Sequence, residues 1–273
     1  VRCMDLLPVM KDAVKQAGAE VLALSGSPAA RRVVGKGAGG DLTQALDEAA
    51  ETSIIRSLQE RIGNCTIISE ERGWVSLGRG GPPFFILDPL DGTTNALRGY
   101  PCYSISLAAS AGPRLRETVA GAVLDVPQSS LYWAEKGRGA FLNGSEIRPS
   151  ATEAVENALI AVDLNLRRAL PSYLAKVGPI IEQAEHIRFI GTDALETCFV
   201  ASGTCDAFVD LRGTLRLTDL AAATFIVQEA GGTVVDATGA PLDMAIAPES
   251  RGSFIAACTK PLCDQLLRLT RGN

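Results

Sequence analysis

Two carboxylates, Asp88 and Asp91, stand three positions apart directly after the apolar run 84–87, and Gly92, Thr93 and Thr94 follow at once. Residues of these types can hold a cation and a phosphate together. Oxygen-only ligands suit a hard ion such as Mg²⁺, whereas zinc would ask for His or Cys. Gly92 lets backbone N–H groups come close to a phosphate where a helix begins. Pro89 fixes its own φ and holds Asp88 extended, so the strand is expected to end there with both carboxylates converging on one side of the turn. Asp, Pro, Gly and Thr are equally the ordinary residues of a surface turn, which is the plain alternative for the heptapeptide 88–94 taken alone.

Two further junctions carry acids. The run 66–69 reads as a buried strand ending on Glu70 and Glu71, and Thr218-Asp219 opens an apolar helix over 220–230 that Gly231-Gly232 closes. A turn-only account explains each junction separately and gives no reason for acids at all three. Together the segments resemble the inositol monophosphatase and fructose-1,6-bisphosphatase superfamily of Mg²⁺-dependent, lithium-sensitive phosphatases. The matching stretches are Ser69-Glu70-Glu71, the heptapeptide continued through Asn95 to Tyr100-Pro101, and Thr218 to Ala223 with Glu229-Ala230-Gly231-Gly232. Weaker matches at 137–144 and at Ile190-Gly191-Thr192 extend the resemblance over nearly the whole chain.

The resemblance implies a layered α-β-α-β-α sandwich with the active site between its halves, and two or three Mg²⁺ ions per site, with Mn²⁺ as a substitute. Two divalent ions about 3.5–4 Å apart can hold the attacking and leaving oxygens of an in-line phosphoryl displacement and make a water nucleophilic at neutral pH. By the same resemblance, Glu70, Asp88 and the carbonyl of Leu90 hold one ion, and Asp88, Asp91 and Asp219 the second. A third, weaker ion falls between Glu70 and a glycine-rich loop. Thr93 would orient the water, with Asp47 accepting a hydrogen bond from it, and Glu71 would fix ligand geometry from behind. Backbone N–H groups of Gly92 and Thr93 would hold the phosphate. A homodimer is the family expectation.

These residues need elements to position them. Leu6, Met10, Val14, Ala17, Val21 and Leu24 recur at helical spacing, so the chain opens on an amphipathic helix. The segment 35–41 is too glycine-rich for a stable element and reads as a mobile loop, in which Lys36 is either a solvated charge or a group that reaches a phosphate. It matches G-x-G-x-x-G, yet only Val33-Val34 precedes it and no clear βαβ unit follows, which argues against a dinucleotide site. A second helix is expected from about residue 48, with Asp47 as its N-cap. Alternating segments at 103–110, 119–126 and 131–134, with Asn143-Gly144 as a hairpin signal, predict a mainly antiparallel sheet. From about residue 150 strands at 159–162, 186–190, 206–209, 233–235 and 254–257 alternate with helices at 171–183, 194–201 and from 219. The fold class is therefore α/β, with an α+β half over 1–149 and an α/β half over 150–273.

Composition sets the remaining bounds. A chain of 273 residues that is 47% hydrophobic can bury a large core. A net charge of −5 argues against a nucleic-acid or anionic-membrane partner, and no run approaches the roughly 18 apolar residues that span a bilayer. No secretory segment is evident at the amino terminus, and seven cysteines without metal-ligand spacing read as reduced thiols, so the cytoplasm is expected. The single histidine, His186, lies in a short apolar strand and reads as structural, which leaves a Ser-His-Asp hydrolase without a separate base.

The partner is expected to be a small phosphate ester. Asp193, where the family pattern has a small residue, and Asp210 are candidates for binding its hydroxyls, although Asp193 is also suited to capping the helix that follows. Arginines among Arg167, Arg168, Arg188, Arg212 and Arg216 are candidates for a second phosphate. The segment from Asp210 to Asp219 looks most like the archaeal members that act on both inositol phosphates and fructose 1,6-bisphosphate. A phosphatase for 3′-phosphoadenosine 5′-phosphate is the nearest alternative, although 5% aromatic residues offer little for stacking an adenine. A binding or regulatory protein that keeps the fold is the other.

Overall fold

The computed structural model describes residues 6–38, 42–165 and 170–271. The stripe Met10, Val14, Ala17 and Val21 is fully buried along α1 (Leu6–Leu24). Strands β1 (Val33–Lys36) and β2 (Leu42–Gln44) pair antiparallel. Gly35 and Lys36 are therefore strand residues, contrary to the expectation of a loop throughout, because the hairpin partner supplies their ladder. Residues 39–41 of that segment lie outside the described residues. Helix α2 (Ala45–Arg61) begins earlier than expected, with Gln44 as N-cap. Asp47 is its third residue and returns a bond to the cap, its Oδ2 accepting the Gln44 N–H at 2.8 Å.

An eight-stranded sheet follows, built from β3 (Cys65–Ser69), β4 (Gly73–Leu77), β5 (Phe84–Asp91), β6 (Ser104–Ser110), β7 (Thr118–Asp125), β8 (Ser130–Glu135), β9 (Ala140–Leu142) and β10 (Ser145–Ile147), with the short helix α3 (Thr93–Arg98) after β5. Its order is β10-β9-β8-β7-β6-β5-β3-β4, antiparallel except for β3 beside β5. At the β9–β10 turn both Asn143 (φ 51°) and Gly144 (φ 90°) are left-handed, as a two-residue hairpin demands. Strand β5 does not end at Asp88. It runs on to Asp91 through a break in register, with Asp88 opposite Ser106 but Asp91 opposite Ser104, so one residue is extra on β5. Pro89, which has no N–H to give to a ladder, sits in that bulge.

The second sheet comprises β11 (Leu159–Val162), β12 (His186–Arg188), β13 (Ala207–Arg216), β14 (Thr233–Asp236) and β15 (Arg251–Ala257), with α4 (Leu170–Gln183), α5 (Asp193–Ala201), α6 (Leu217–Ala230) and α7 (Lys260–Thr270) between and after them. Its order is β12-β11-β13-β15-β14, the first three strands parallel and β15 antiparallel to both neighbours. Strand β13 extends past the expected end at residue 209, because β15 pairs with Leu215 and Arg216 as well. Helix α7 had no counterpart in the sequence reading; Thr259 caps it, accepting the Leu262 N–H.

Neighbouring residues on one strand serve different cores. Ile67 and Phe85 pack under α1 and α2 with Leu46, Ile54 and Leu58. Ile68 and Ile86 face the other way, toward Leu220, Phe225, Phe208 and Phe254, in the layer that α5 and α6 fill between the sheets. Tyr173, Val177, Leu262 and Leu266 cover the far face of the second sheet. The order of layers is α-β-α-β-α, as the resemblance implied. Among the described cysteines none is paired, and five of the six are buried. Among the described residues, no helix is long and apolar enough to cross a membrane.

Helix α6 lies unusually close to the first sheet at Gly121, where an added Cβ would stand 3.0 Å from the Ala222 carbonyl oxygen. Gly121→Val is therefore expected to push α6 off β7 and cost about 2–3 kcal/mol, read as a lower urea midpoint. An unchanged midpoint would show that the central layer tolerates the shift.

Candidate active site

Because β3 and β5 run parallel, their carboxyl ends lie side by side, and the Glu70 N–H donates to the Leu87 carbonyl at 3.1 Å. That pairing sets Glu70 beside Asp88. Asp219 arrives from the opposite direction in the first turn of α6, held by the Arg216 N–H (3.3 Å) and the Thr218 hydroxyl (2.9 Å). Asp91 Oδ2 accepts from the Thr192 hydroxyl at 2.6 Å and the Ala194 N–H at 2.8 Å. The Leu90 N–H donates to Asp88 Oδ1 at 3.0 Å. Four acids from the two halves of the chain thus converge, and Arg216 pairs with them through Glu70.

The electrostatics register this crowding. Burial, then the carboxylates of Glu70, Asp219 and Asp91, drive the Asp88 pKa well above its ordinary range. Burial and Asp219 push Glu70 up to about 8 against the pull of Arg216. Asp91 rises to about 7, again from burial and Asp219, in spite of its bonds to Thr192 and Ala194. Asp219 is raised by burial, which outweighs Arg216. An all-oxygen donor set whose members resist ionisation without added positive charge fits hard divalent cations.

Thr93 lies beside these acids. Its hydroxyl is 2.9 Å from both Asp47 Oδ1 and the Leu90 carbonyl, and with one proton it donates to one of them at a time. Burial lifts Asp47 to about 7, opposed by the Gln44 N–H and Thr93 and assisted by Glu71. Gly92 is left-handed (φ 89°) and packed so closely on Tyr103 and the Cys102 carbonyl that a side chain would crowd them. Glu71 faces the β1–β2 hairpin: the Thr43 hydroxyl donates to its carboxylate, the Ala38 N–H to its carbonyl (2.8 Å), and a side chain at Gly37 would collide with it. Lys36 is exposed at the end of β1. A cavity of about 10 Å³, room for one water, lies among Ala38, Glu70, Arg216 and Thr218.

The residues considered for substrate fall into two groups. Asp193 and Asp210 come together, with Asp163 as a third member that the sequence reading missed. All three surround Arg212, whose Nη2 is 2.6 Å from Asp163, 2.6 Å from Asp210 and 3.2 Å from Asp193. The cap of α5 is Thr192, so Asp193 is its first residue and not its cap. The three carboxylates offer oxygens within 4.8 Å of one another, a spacing that would also suit a cation. The guanidinium already supplies positive charge there and binds Asp210 through two nitrogens. Arg212 is accordingly not a free donor for a second phosphate, and Arg216 is engaged with Glu70. Arg188 is exposed on edge strand β12 and donates to the Ile187 carbonyl, away from the acids in every described contact. Arg167 and Arg168 lie outside the described residues.

Comparison with known proteins gives a consistent picture. The model of the inositol monophosphatase family matches residues 5–269. A fructose-1,6-bisphosphatase/inositol-1-monophosphatase of Methanothermobacter thermautotrophicus is 35% identical over 254 residues, 90% of this chain and 89% of that protein. Inositol monophosphatase 1 of Xenopus laevis is 32% identical, covering 89% of this chain and 85% of that one. Among solved structures, the extragenic suppressor protein SuhB of Bartonella henselae superposes with a TM-score of 0.86 at 30% identity, over 97% of this chain and 98% of that one.

The raised carboxyls predict how the cation-free protein responds to pH. Its folded state keeps protons that the unfolded chain releases near pH 4, so this stabilisation is present below about pH 4 and is lost as pH rises through about 7–8. In chelator, Tm should fall between about pH 5 and pH 8.5, and Mg²⁺ should restore most at the alkaline end. A Tm that stays level or rises over that window would contradict the assigned cluster.

Proposed function

The chain belongs to the inositol monophosphatase family of metal-dependent sugar and inositol phosphate phosphatases, and we propose that its substrates are inositol 1-phosphate and fructose 1,6-bisphosphate. The observation that carries this reading is the convergence of Glu70, Asp88, Asp91 and Asp219 beside a Thr93–Asp47 hydrogen bond. Two or three Mg²⁺ ions, or Mn²⁺ in their place, held by these four side chains and the Leu90 carbonyl, would supply charge to the phosphoryl oxygens and acidify a water.

The rest falls to the protein's own groups. While the Thr93 hydroxyl donates to Asp47, its lone pairs are free to accept from the attacking water. That bond aims the water along the line of displacement, and Asp47, poised near neutrality, is suited to take up the proton. The backbone N–H groups of Gly92 and Thr93 hold the phosphoryl oxygens as charge moves to the leaving oxygen. Glu71 fixes the β1–β2 hairpin behind Glu70, and Lys36 on that hairpin is a candidate to approach the phosphate. Asp193 and Asp210 accept from hydroxyls of the organic portion. A second phosphate, as in fructose 1,6-bisphosphate, falls to Arg167 or Arg168, since Arg212 and Arg216 are committed to carboxylates and Arg188, also considered for this role, donates to the Ile187 carbonyl away from the acids.

The test is phosphate release with Mg²⁺ from inositol 1-phosphate, fructose 1,6-bisphosphate and 3′-phosphoadenosine 5′-phosphate side by side. Turnover of the first two is expected, while preference for the third would overturn the substrate assignment. Asp88→Asn should abolish release and leave a folded protein, and near-normal Mg²⁺-dependent activity in that variant would remove the cation assignment. Thr93→Val should lower kcat by about 10²–10⁴-fold with little change in KM.

A further inference from the structure

Glu196 is fully buried in α5, an environment that excludes most carboxylates unless several donors meet them. Three consecutive backbone N–H groups do so: Ile190 at 3.1 Å, Gly191 at 3.0 Å and Thr192 at 3.3 Å. One carboxylate thereby fixes the turn 190–192, including Gly191 in the left-handed region at φ 83°. The same turn is tied to α3 through Asn95, whose amide donates to the carbonyls of Ile190 (2.9 Å) and Cys102 (2.8 Å). Held this way, the segment delivers two donors, the Thr192 hydroxyl and the Ala194 N–H, to one and the same oxygen, Oδ2 of Asp91.

That arrangement does more than close a helix. Occupying Oδ2 twice from the second half of the chain sets the rotation of the Asp91 carboxylate and leaves Oδ1 for another partner. We propose that Glu196 is a positioning residue for the cation site, acting through the 190–194 segment to fix which oxygen of Asp91 is presented. The inference rests on Asp91 being a cation ligand. Gln at 196 keeps the volume but replaces one acceptor oxygen with an N–H₂ group, which cannot receive a backbone N–H, so the turn must shift and Asp91 with it.

The test is Mn²⁺ binding to the full-length protein by calorimetry, paired with the Mg²⁺ concentration that gives half-maximal phosphate release. Glu196→Gln should weaken Mn²⁺ binding by about 10–100-fold and raise the half-saturating Mg²⁺ in step, with most of kcat recovered at saturating Mg²⁺. Thr192→Val, which removes only the hydroxyl to Asp91, should reproduce the loss, and the double variant should lose less than the sum of the two. Asp125→Asn, a buried acid bound to the Gln128 N–H, should lower Tm without moving Mn²⁺ affinity. A Glu196→Gln protein with lower Tm and Mn²⁺ affinity within about twofold of the original would overturn the proposal, as would fully additive losses. If Glu196→Gln fails to fold, Thr192→Val decides: unchanged affinity there removes the route through the segment. Absence of any Mn²⁺ binding to the unsubstituted protein would instead overturn the cation-site reading beneath it.

Discussion

Like charge held at close range is the constraint on which this structure turns. Glu70 and Asp88 are placed by the parallel pairing of β3 with β5, and Asp219 by the first turn of α6, while Asp91 is clamped from the second half of the chain. The arrangement works against its own ionisation, because burial and mutual repulsion both favour the protonated forms. Only a rigid surround keeps such groups together. The interlayer core of Leu220, Phe225, Phe208 and Phe254 provides that rigidity, and so the energy of apolar packing maintains an electrostatic arrangement that would disperse by itself.

The acids were legible in the sequence because their signal is local. Each ends or begins an apolar run, and a run of that kind implies an element with a definite end. Helix α1 was legible for the same reason, its stripe being continuous. What depended on distant pairing was not legible. Gly35 and Lys36 become strand residues only because Leu42 lies opposite, and β13 extends to Arg216 only because β15 accompanies it. Asp47 was displaced from cap to third helical residue because Gln44, a weak capping residue by type, occupies the cap. Asp163 escaped notice altogether, since nothing in its neighbourhood marks it until Arg212 arrives from the next strand.

Arg212 also shows how residue type can mislead about role. An arginine in a chain read as handling phosphate esters invites the reading of a phosphate receptor. Here the guanidinium is spent on Asp163, Asp193 and Asp210, and the wall it belongs to carries more acids than bases. One oxygen of Asp193 remains buried with no partner among the described residues. That wall is thus acidic in composition, and its remaining hydrogen-bonding capacity is for donors.

The bulge at Pro89 has a geometric meaning that goes beyond interrupting a ladder. Side chains on a regular strand alternate, so residues separated by an odd number face opposite sides of the sheet. Asp88 and Asp91 are separated by three, and on an unbroken strand one of them would be turned toward the α1–α2 layer. The one extra residue changes the parity of the strand within the motif, and the two acids come to share a side. Proline at the extra position cannot take part in a regular ladder, so the odd count is written into the backbone chemistry and does not depend on whichever ligand arrives.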